Sequence, residues 1–393
     1  MDIGFRYYEK KYNLPEEVKY CSKCVNSNQR PRITFDDDGV CSACNFAEFK
    51  NNQIDWNLRR KELHTLCDKH RKNDGSFDCI VPSSGGKDSG VVAHMLKYEF
   101  NMNPLTVTWA PHLYTEIGFQ NHQAHIHTGN LANILVTPPG DVHRRLTKLA
   151  FENLGDPFLP FIFGQNNMPL QIADRYGVPL IFYGENSEVE YGGNMHDAYR
   201  PTRDWKFKNS KILMSGMPPE EFIKYGITDK DIFQYLPPEE KKLEKLKVEI
   251  HYFGHYHKWS PQENYYYCVE NTGFKANPVR SEGTYSKYAS LDDKLDGFHF
   301  YLMFIKFGFG RTTSDAAYEV RDENITREEA QILVGRFDGE FPEKYFKTFL
   351  KYCDISEDTF WKVVDSWRPN HIWKNVDNKW VLRHKVDKSG IED

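Results

Sequence analysis

The stretch Cys79-Ile80-Val81-Pro82-Ser83-Ser84-Gly85-Gly86-Lys87-Asp88-Ser89 joins a short apolar run to a glycine-hinged polar loop. The helical pattern Val91-Val92-Ala93-His94-Met95-Leu96 follows directly. Two consecutive glycines allow the backbone to turn its N–H groups toward an anion, and the N-terminus of a helix adds partial positive charge. The stretch therefore predicts a strand, a phosphate-binding loop and a helix.

Further strand and helix patterns surround this unit. Strands are predicted at 104–109, 131–137 and 178–184, and the amphipathic segment 168–176 precedes the last of them. Strands that alternate with helices predict a doubly wound parallel sheet, which binds ligands at the carboxyl ends of its strands. The loop and the segment Gly184-Glu185-Asn186 both lie at such ends, so we expect them to face one crevice.

The loop residues have the chemistry of a pyrophosphate site. Ser84 and Ser89 offer hydroxyl groups, and Gly85 and Gly86 offer backbone N–H groups. The spacing differs from the Walker pattern and resembles the SGGxDS form of the PP-loop, found in enzymes that cleave ATP between its α and β phosphates. We therefore expect ATP as the nucleotide.

Charged residues beside the loop fit the same chemistry. Lys87 offsets the charge of departing pyrophosphate, and Asp88 binds Mg²⁺ or orients the loop. Glu185 is a second contact to Mg²⁺ or substrate, although a purely structural carboxylate fits its position as well. Gly184 lies at the strand end, and Trp109 borders the adenine or packs in the core.

Eight cysteines are present, and four of them are paired in sequence as Cys21, Cys24, Cys41 and Cys44. Two CxxC pairs at this separation favour a structural zinc site with four thiolate ligands, with chance pairing or an iron–sulfur cluster as alternatives. The segment 32–40 between them predicts strand, tight turn and strand. His122, His125 and His127, and a second group at 251–257, are interpreted as surface or packed rings and not as metal ligands.

Composition limits the classes of function. The formal net charge is −5, whereas proteins that bind nucleic acid usually carry a basic excess. No apolar run approaches the length of a membrane span, and the first eight residues lack the apolar core of a secretion signal. We therefore expect a cytoplasmic protein with no nucleic-acid partner.

The chain divides by composition into three expected domains: a zinc ribbon at 1–50, an ATP-binding domain at 51–245 and a mostly helical carboxy-terminal region at 246–393. In the last, Lys306 and Arg311 flank the loop Gly308-Phe309-Gly310 and form a candidate anion clamp. Asn186, Tyr191 and the adjacent 192–194 are further candidates for contacts to substrate.

These motifs follow one another in an order that resembles that of a known enzyme family. The two CxxC pairs, SGGKDS, the strand-end Tyr-Gly-Glu-Asn, the block Ser286-Lys287-Tyr288 to Thr313, and the segments 325–330 and 337–342 occur in that order. Over roughly residues 20–345 the chain resembles the N-acetyl sugar amidotransferases of bacterial surface-glycan synthesis. This implies a PP-loop fold of the adenine nucleotide α-hydrolase-like type.

The resemblance also implies a reaction. The acetamido group of a sugar, such as a pseudaminic or legionaminic acid or a nucleotide-linked diacetamido uronic acid, becomes an acetamidino group. An O-adenylyl intermediate forms with release of pyrophosphate, and ammonia then displaces AMP. The cofactors implied are ATP, Mg²⁺ and structural Zn²⁺.

The source of ammonia is predicted to be a second protein. Residue 2 is Asp, and none of Cys67, Cys79, Cys268 and Cys353 lies in a Gly-x-Cys-x-Gly elbow, so the sequence shows no glutaminase nucleophile. The resemblance points to a partner like the glutaminase of imidazole-glycerol-phosphate synthase. Two other functions remain open, a tRNA-thiolating PP-loop enzyme and a nucleotide-binding adaptor without catalysis.

Overall fold

The computed structural model describes residues 12–193, 199–205 and 218–387. The first eight residues and Asn194, which entered the sequence predictions, lie outside these ranges. None of the described helices is both long enough and apolar enough to cross a membrane.

A six-stranded sheet forms the centre of the chain. Its strands are β1 Cys79–Pro82, β2 Pro104–Trp109, β3 Ala132–Val136, β4 Leu180–Tyr183, β5 Thr202–Arg203 and β6 Glu249–Tyr252. They lie in the order β3-β2-β1-β4-β6-β5, and every pairing is parallel except that of the edge strand β5 with β6. The chain order reverses between β1 and β4, which is the switch point where such sheets form a ligand crevice.

Helices surround this sheet and build the regions on either side of it. They are α1 Ser42–Asn52, α2 Trp56–His70, α3 Lys87–Tyr98, α4 Glu116–His127, α5 Gly140–Leu154, α6 Leu159–Tyr176, α7 Ser187–Glu190, α8 Asp229–Ile232, α9 Glu240–Leu246, α10 Pro261–Asn271, α11 Asp296–Phe307, α12 Arg311–Arg321, α13 Arg327–Phe337, α14 Phe346–Cys353 and α15 Glu357–Asp365. A hairpin, β7 Trp373–Val376 and β8 Lys379–Leu382, follows α15.

Both faces of the sheet are buried, as a doubly wound fold requires. Ile80 and Ile181 pack into one apolar cluster, which contains residues of α5 and α6. Val81 and Phe182 pack into a second cluster with residues of α3. Because successive side chains of a strand point to opposite faces, these short apolar runs are buried on both sides. The predicted α/β fold with a parallel sheet is confirmed.

The predicted strands agree with the structure to within two residues at each end. Strand β6 lies beyond residue 245, so the sheet continues past the predicted boundary of the ATP-binding domain. The predicted strand, tight turn and strand at 32–40 is present in short form, as one antiparallel bridge, Phe35 to Cys41, around a turn at Gly39. The Asp36 N–H donates to the Val40 carbonyl and the Ser42 N–H to the Thr34 carbonyl across it, while the Cys41 N–H donates to the sulfur of Cys21.

A buried ion pair joins the amino-terminal segment to the rest of the molecule. The Lys50 Nζ of α1 lies 2.9 Å from the Glu190 carboxylate and also donates to the Trp259 carbonyl. The Tyr318 hydroxyl of α12 donates to the same carboxylate at 2.6 Å. Three regions that are distant in sequence therefore meet at one buried charge.

The mostly helical carboxy-terminal region has its own aromatic core. Phe298, Phe349 and Phe360 are fully buried in one cluster with residues from α11, α14 and α15. Asp338, at the end of α13, accepts hydrogen bonds from the Gly310 and Thr313 N–H groups. The segment 337–342 thus caps the N-terminus of α12, which begins with Arg311.

Candidate functional site

The loop between β1 and α3 lies at the carboxyl edge of the sheet. Gly85 has φ +85°, and a Cβ placed there would lie 2.6 Å from the Cα of His122, so only glycine fits. Gly86 is the N-cap residue of α3 and provides no side-chain cap. The first N–H groups of α3 therefore remain available to an anion, together with the positive end of the helix dipole.

The two charged residues of the loop contact each other. The Lys87 Nζ lies 2.7 Å from both carboxylate oxygens of Asp88, and Asn264 of α10 donates to the same carboxylate at 3.1 Å. The Lys87 amine also lies 5.9 Å from the centre of the Tyr288 ring. The loop thus holds a cation and an anion close to the place where phosphate groups would bind.

The first of two clefts beside this loop, the Arg311 cleft, has a volume of about 410 Å³. It is lined by loop residues 84–88 and by residues of the carboxy-terminal region, among them Tyr288, Asp292, Asp296 and Arg311. The guanidinium of Arg311 lies over the Phe300 ring and donates to Asp315 at 2.9 Å. This cleft has aromatic, cationic and anionic groups on its walls.

The second, the Glu185 cleft, has a volume of about 380 Å³ and opens over the switch point between β1 and β4. It is lined by Ser84, Asp88, Ser89, Gly184 and Glu185, together with other residues at the strand ends. Burial, and next the nearby charge of Asp88, raise the pKa of Glu185 to about 7. Two neighbouring carboxylates form a site suited to a divalent cation, which binds oxygen ligands.

Asp292 lines the Arg311 cleft and was not predicted from the sequence. Its carboxyl accepts a hydrogen bond from Ser84, and burial, followed by the charges of Asp296 and Asp293, raises its pKa to about 6. The neighbouring Asp293 binds the N–H and ring of His112, each at 2.7 Å, which anchors this segment next to the end of β2. The adjacent acidic residues Asp292-Asp293 were the available signal, but their distance from the loop in sequence concealed the contact.

The structure does not bring three of the predicted residues to these clefts. Trp109 is 3% exposed and packs against His143 and Tyr235, because Gly164 allows its ring to lie against α6. The Lys306 amine donates to the Leu154 carbonyl and does not line the cleft that Arg311 lines, so these two cations do not form a clamp there. Asn186 caps α7 by accepting from the Glu188 N–H and lines a separate small pocket.

Tyr191 lies beside the Glu185 cleft. Burial raises the pKa of its hydroxyl, and the nearby carboxylates of Glu185 and Asp88 raise it further. Its ring lies 5.6 Å from the buried guanidinium of Arg30 in the amino-terminal segment. Tyr191 therefore connects the region of the cysteines to the region of the loop.

The four paired cysteines meet in one cluster, with all sulfurs within 4.8 Å of one another. Backbone N–H groups of Lys23, Cys24 and Cys41 point at the Cys21 sulfur at 3.2–3.4 Å. Tetrahedral thiolate sites for zinc have this arrangement, in which N–H donors offset the charge of the sulfurs. No other cluster of three or more potential ligands occurs among the described residues.

The remaining cysteines, Cys67, Cys79, Cys268 and Cys353, are buried and form no disulfide, and the first three lie in the apolar cluster that contains α3. Burial raises the pKa of Cys67 and Cys268 to about 12 and raises that of Cys79 and Cys353 as well. A thiol that stays protonated is a poor nucleophile. These four side chains therefore lack the properties of a glutaminase nucleophile or of a sulfur carrier.

Comparison with known proteins finds matches to parts of the chain. Residues 282–387 match the model of the C-terminal domain of WbpG-like lipopolysaccharide (LPS) biosynthesis proteins. An uncharacterised protein of Methanocaldococcus jannaschii is 30% identical over 89 residues, which are 22% of this chain and 31% of that protein. The chain thus spans about a third of the length of that relative.

Two solved structures cover more of the chain at low similarity. An NH₃-dependent NAD synthetase from Campylobacter jejuni covers 58% of this chain and all of its own, with 12% identity and a TM-score of 0.29. The NMN synthetase of Francisella tularensis covers 56% of this chain and 88% of its own, with 14% identity and a TM-score of 0.27. The fold assignment accordingly depends on the strand order and the strand–loop–helix unit. The predicted resemblance to a family of surface-glycan enzymes is confirmed over residues 282–387, which are similar to the C-terminal domain of WbpG-like LPS biosynthesis proteins.

Proposed function

We propose that this chain is an ATP-dependent amidotransferase of surface-glycan biosynthesis, which converts the acetamido group of a sugar to an acetamidino group. One observation carries the proposal: the Arg311 cleft is bounded on one side by the SGGKDS loop and on the other by the region similar to WbpG-like domains. An ATP-cleaving loop and a glycan-biosynthesis domain therefore share one cavity.

The reaction has two steps in this proposal. The acetamido oxygen attacks the α-phosphorus of ATP, and the bond to the β-phosphate oxygen breaks, so that pyrophosphate leaves and an O-adenylyl imidate forms. Ammonia then adds to the imidate carbon, loses a proton, and AMP departs with the former acetamido oxygen. The loop and the N-terminus of α3 bind pyrophosphate, and positioning together with charge stabilisation lowers the barrier.

The charged side chains beside the loop have separate tasks. Lys87 neutralises charge on the departing pyrophosphate. Asp88 and Glu185 would hold Mg²⁺, which supplies charge neutralisation on phosphate oxygens. Asp292 faces the loop from the opposite wall of the Arg311 cleft and accepts the proton that ammonia loses, since a carboxylate with a raised pKa is the stronger base.

The four cysteines would hold a structural Zn²⁺, because four protein thiolates leave no open position for a substrate. Ammonia is proposed to come from a separate glutaminase, which the inert environment of the other four thiols supports. The division into domains at residues 50 and 245 remains a prediction, as does a cytoplasmic location.

The test is a screen of N-acetylated sugars and their nucleotide-linked forms with ATP and ammonium. The expected product has lost an oxygen and gained an NH group, which mass spectrometry detects, and it appears together with AMP and pyrophosphate. Asp88→Ala should abolish pyrophosphate release and leave the zinc content unchanged. Asp292→Asn should retain sugar-dependent pyrophosphate release and lose the amidine product.

The controls address the competing functions. Pyrophosphate release that requires tRNA and not a sugar would contradict the proposal, as would a well-folded protein that turns over none of the sugars. Glutamine hydrolysis by the isolated chain at the rate of amidine formation would contradict the separate glutaminase.

A further inference from the structure

We propose that His125 is a positioning residue that fixes the direction of a hydrogen-bond chain beneath the loop, so that the Ser89 hydroxyl is a donor to the bound anion. The chain runs from His125 through Ser83 to Ser89. It rests on the proposed function only for the identity of that anion, pyrophosphate or the phosphates of ATP.

The contacts define the chain. The Ser83 hydroxyl lies 3.1 Å from the His125 Nε2 and 3.0 Å from the Ser89 hydroxyl, and it accepts from the Gly85 N–H at 3.2 Å. The Ser89 hydroxyl donates to the Gly86 carbonyl at 3.2 Å. His125 is 1% exposed, and its Nδ1 is buried without a hydrogen-bond partner.

Counting protons fixes the direction. A hydroxyl has one proton, and Ser89 gives its proton to the Gly86 carbonyl, so it must accept from Ser83 in their mutual contact. Ser83 has then given away its own proton and must accept from the imidazole. The His125 Nε2 is therefore the protonated nitrogen of the ring.

The other ring nitrogen of His125, Nδ1, has no hydrogen-bond partner, and this leads to the same assignment. Burial lowers the pKa of His125 to about 3, so the ring is neutral and has one N–H. If that proton were on Nδ1, a buried N–H would lack an acceptor, which is rarer and costlier than a buried lone pair without a donor. Gly90 packs beside this nitrogen, where an ideal Cβ would lie 3.9 Å from Nδ1.

The functional consequence concerns Ser89. Because Ser83 supplies it with a proton, the Ser89 hydroxyl can only donate outward, to the Gly86 carbonyl without ligand or to a phosphate oxygen with ligand. Without the imidazole donor, the Ser83 hydroxyl could rotate and accept a hydrogen bond from the Ser89 hydroxyl. Ser89 would then donate its hydrogen bond to Ser83 and not to the anion, so it would contribute less to anion binding.

A direct test is a long-range ¹H–¹⁵N correlation spectrum of the full chain labelled at histidine, since the two neutral tautomers give different patterns. The expected pattern for His125, assigned by comparison with His125→Gln, is that of the Nε2–H tautomer. An Nδ1–H pattern would overturn the inference, whether or not the protein has the proposed activity.

The second test measures pyrophosphate affinity by calorimetry in the presence of Mg²⁺. His125→Phe keeps ring volume but has no donor, and it should weaken binding about ten- to a hundredfold, the loss expected for one hydrogen bond to a charged group. His125→Gln places an amide N–H near the same point and should retain most of the affinity. Ser83→Ala removes both the donor to Ser89 and the competing acceptor, so Ser89 keeps its proton for the anion and most of the affinity should be retained; adding His125→Phe to Ser83→Ala should then change little.

His122→Phe is the matched control, because His122 is a buried imidazole on the same helix as His125. The His122 ring contacts Thr108 and Asn133 and not the side chains of the loop. It should bind pyrophosphate as the unmodified chain does. Wild-type affinity in His125→Phe would overturn the inference. A wild-type protein that binds neither pyrophosphate nor ATP would contradict the proposed function and leave the tautomer assignment standing.

Discussion

At the scale of the residue, Glu185 is a carboxylate whose surroundings disfavour its charge. It lies at the end of β4, half-buried, beside the charge of Asp88. Both factors disfavour its ionised form, so the folded protein accommodates the charge at some cost in stability. A bound cation would remove that cost.

Glu185→Gln should therefore change stability in a pH-dependent way. The pKa is 4.5 in the unfolded chain and about 7 in the folded protein, so stability is unaffected below 4.5 and falls as the pH rises toward 7. Glu185→Gln removes this pH-dependent loss. The difference in free energy of unfolding, variant minus wild type, should therefore be about 2 kcal/mol larger at pH 8 than at pH 5. Chemical denaturation at the two pH values measures this, and equal differences would contradict it.

At the scale of the element, the strand–loop–helix unit is encoded locally. Strands β1 and β2 begin and end where the sequence predicts them, because both faces of each strand are buried and their residues are apolar or threonine. Gly85 of the loop is required by its contact with α4, a helix whose approach the local sequence does not specify. The predicted ribbon hairpin is shorter than expected, with one bridge that two backbone hydrogen bonds flank.

Gly85→Ala tests the requirement for glycine in the loop. Gly75 is a matched control, with φ +84° and no atom within 4 Å of an added Cβ. Gly75→Ala should lose roughly 1–2 kcal/mol of stability from backbone strain alone. Gly85→Ala has the same strain and also a contact of 2.6 Å with the His122 backbone, so it should lose more and bind pyrophosphate poorly. Thermal and chemical unfolding measure both variants. If Gly85→Ala and Gly75→Ala lose the same stability, the close contact with His122 is relieved at no cost in free energy.

At the scale of the whole molecule, the buried Lys50–Glu190 pair connects the cysteine segment to the sheet domain and to α12. Its side chains are 2% and 5% exposed. A buried charge without its partner destabilises a fold strongly, whereas an exposed pair contributes little. This desolvated pair therefore contributes strongly to the contact among the three regions.

Lys50→Met should lower the free energy of unfolding by about 3–5 kcal/mol, since it leaves Glu190 buried and unpaired. Lys69→Met is the control: it breaks an exposed pair with Glu249 and should cost less than about 1 kcal/mol. Adding Glu190→Gln to Lys50→Met should recover part of the loss. A small effect of Lys50→Met alone would mean that Tyr318 and water satisfy the carboxylate.

Short windows of sequence are enough to predict the local units: the glycine loop, the strand that precedes it, the paired cysteines and the resemblance over the carboxy-terminal region. These follow from spacing and periodicity, because neighbouring residues fix the local backbone. Folding of the whole chain is needed to bring Asp292 and Arg311 to one cleft with the loop, to keep Lys306 and Trp109 away from it, and to place His125 beneath Ser83. Those contacts join segments about 40 to 220 residues apart, and their geometry arises from helix packing and buried charge, which no local pattern encodes.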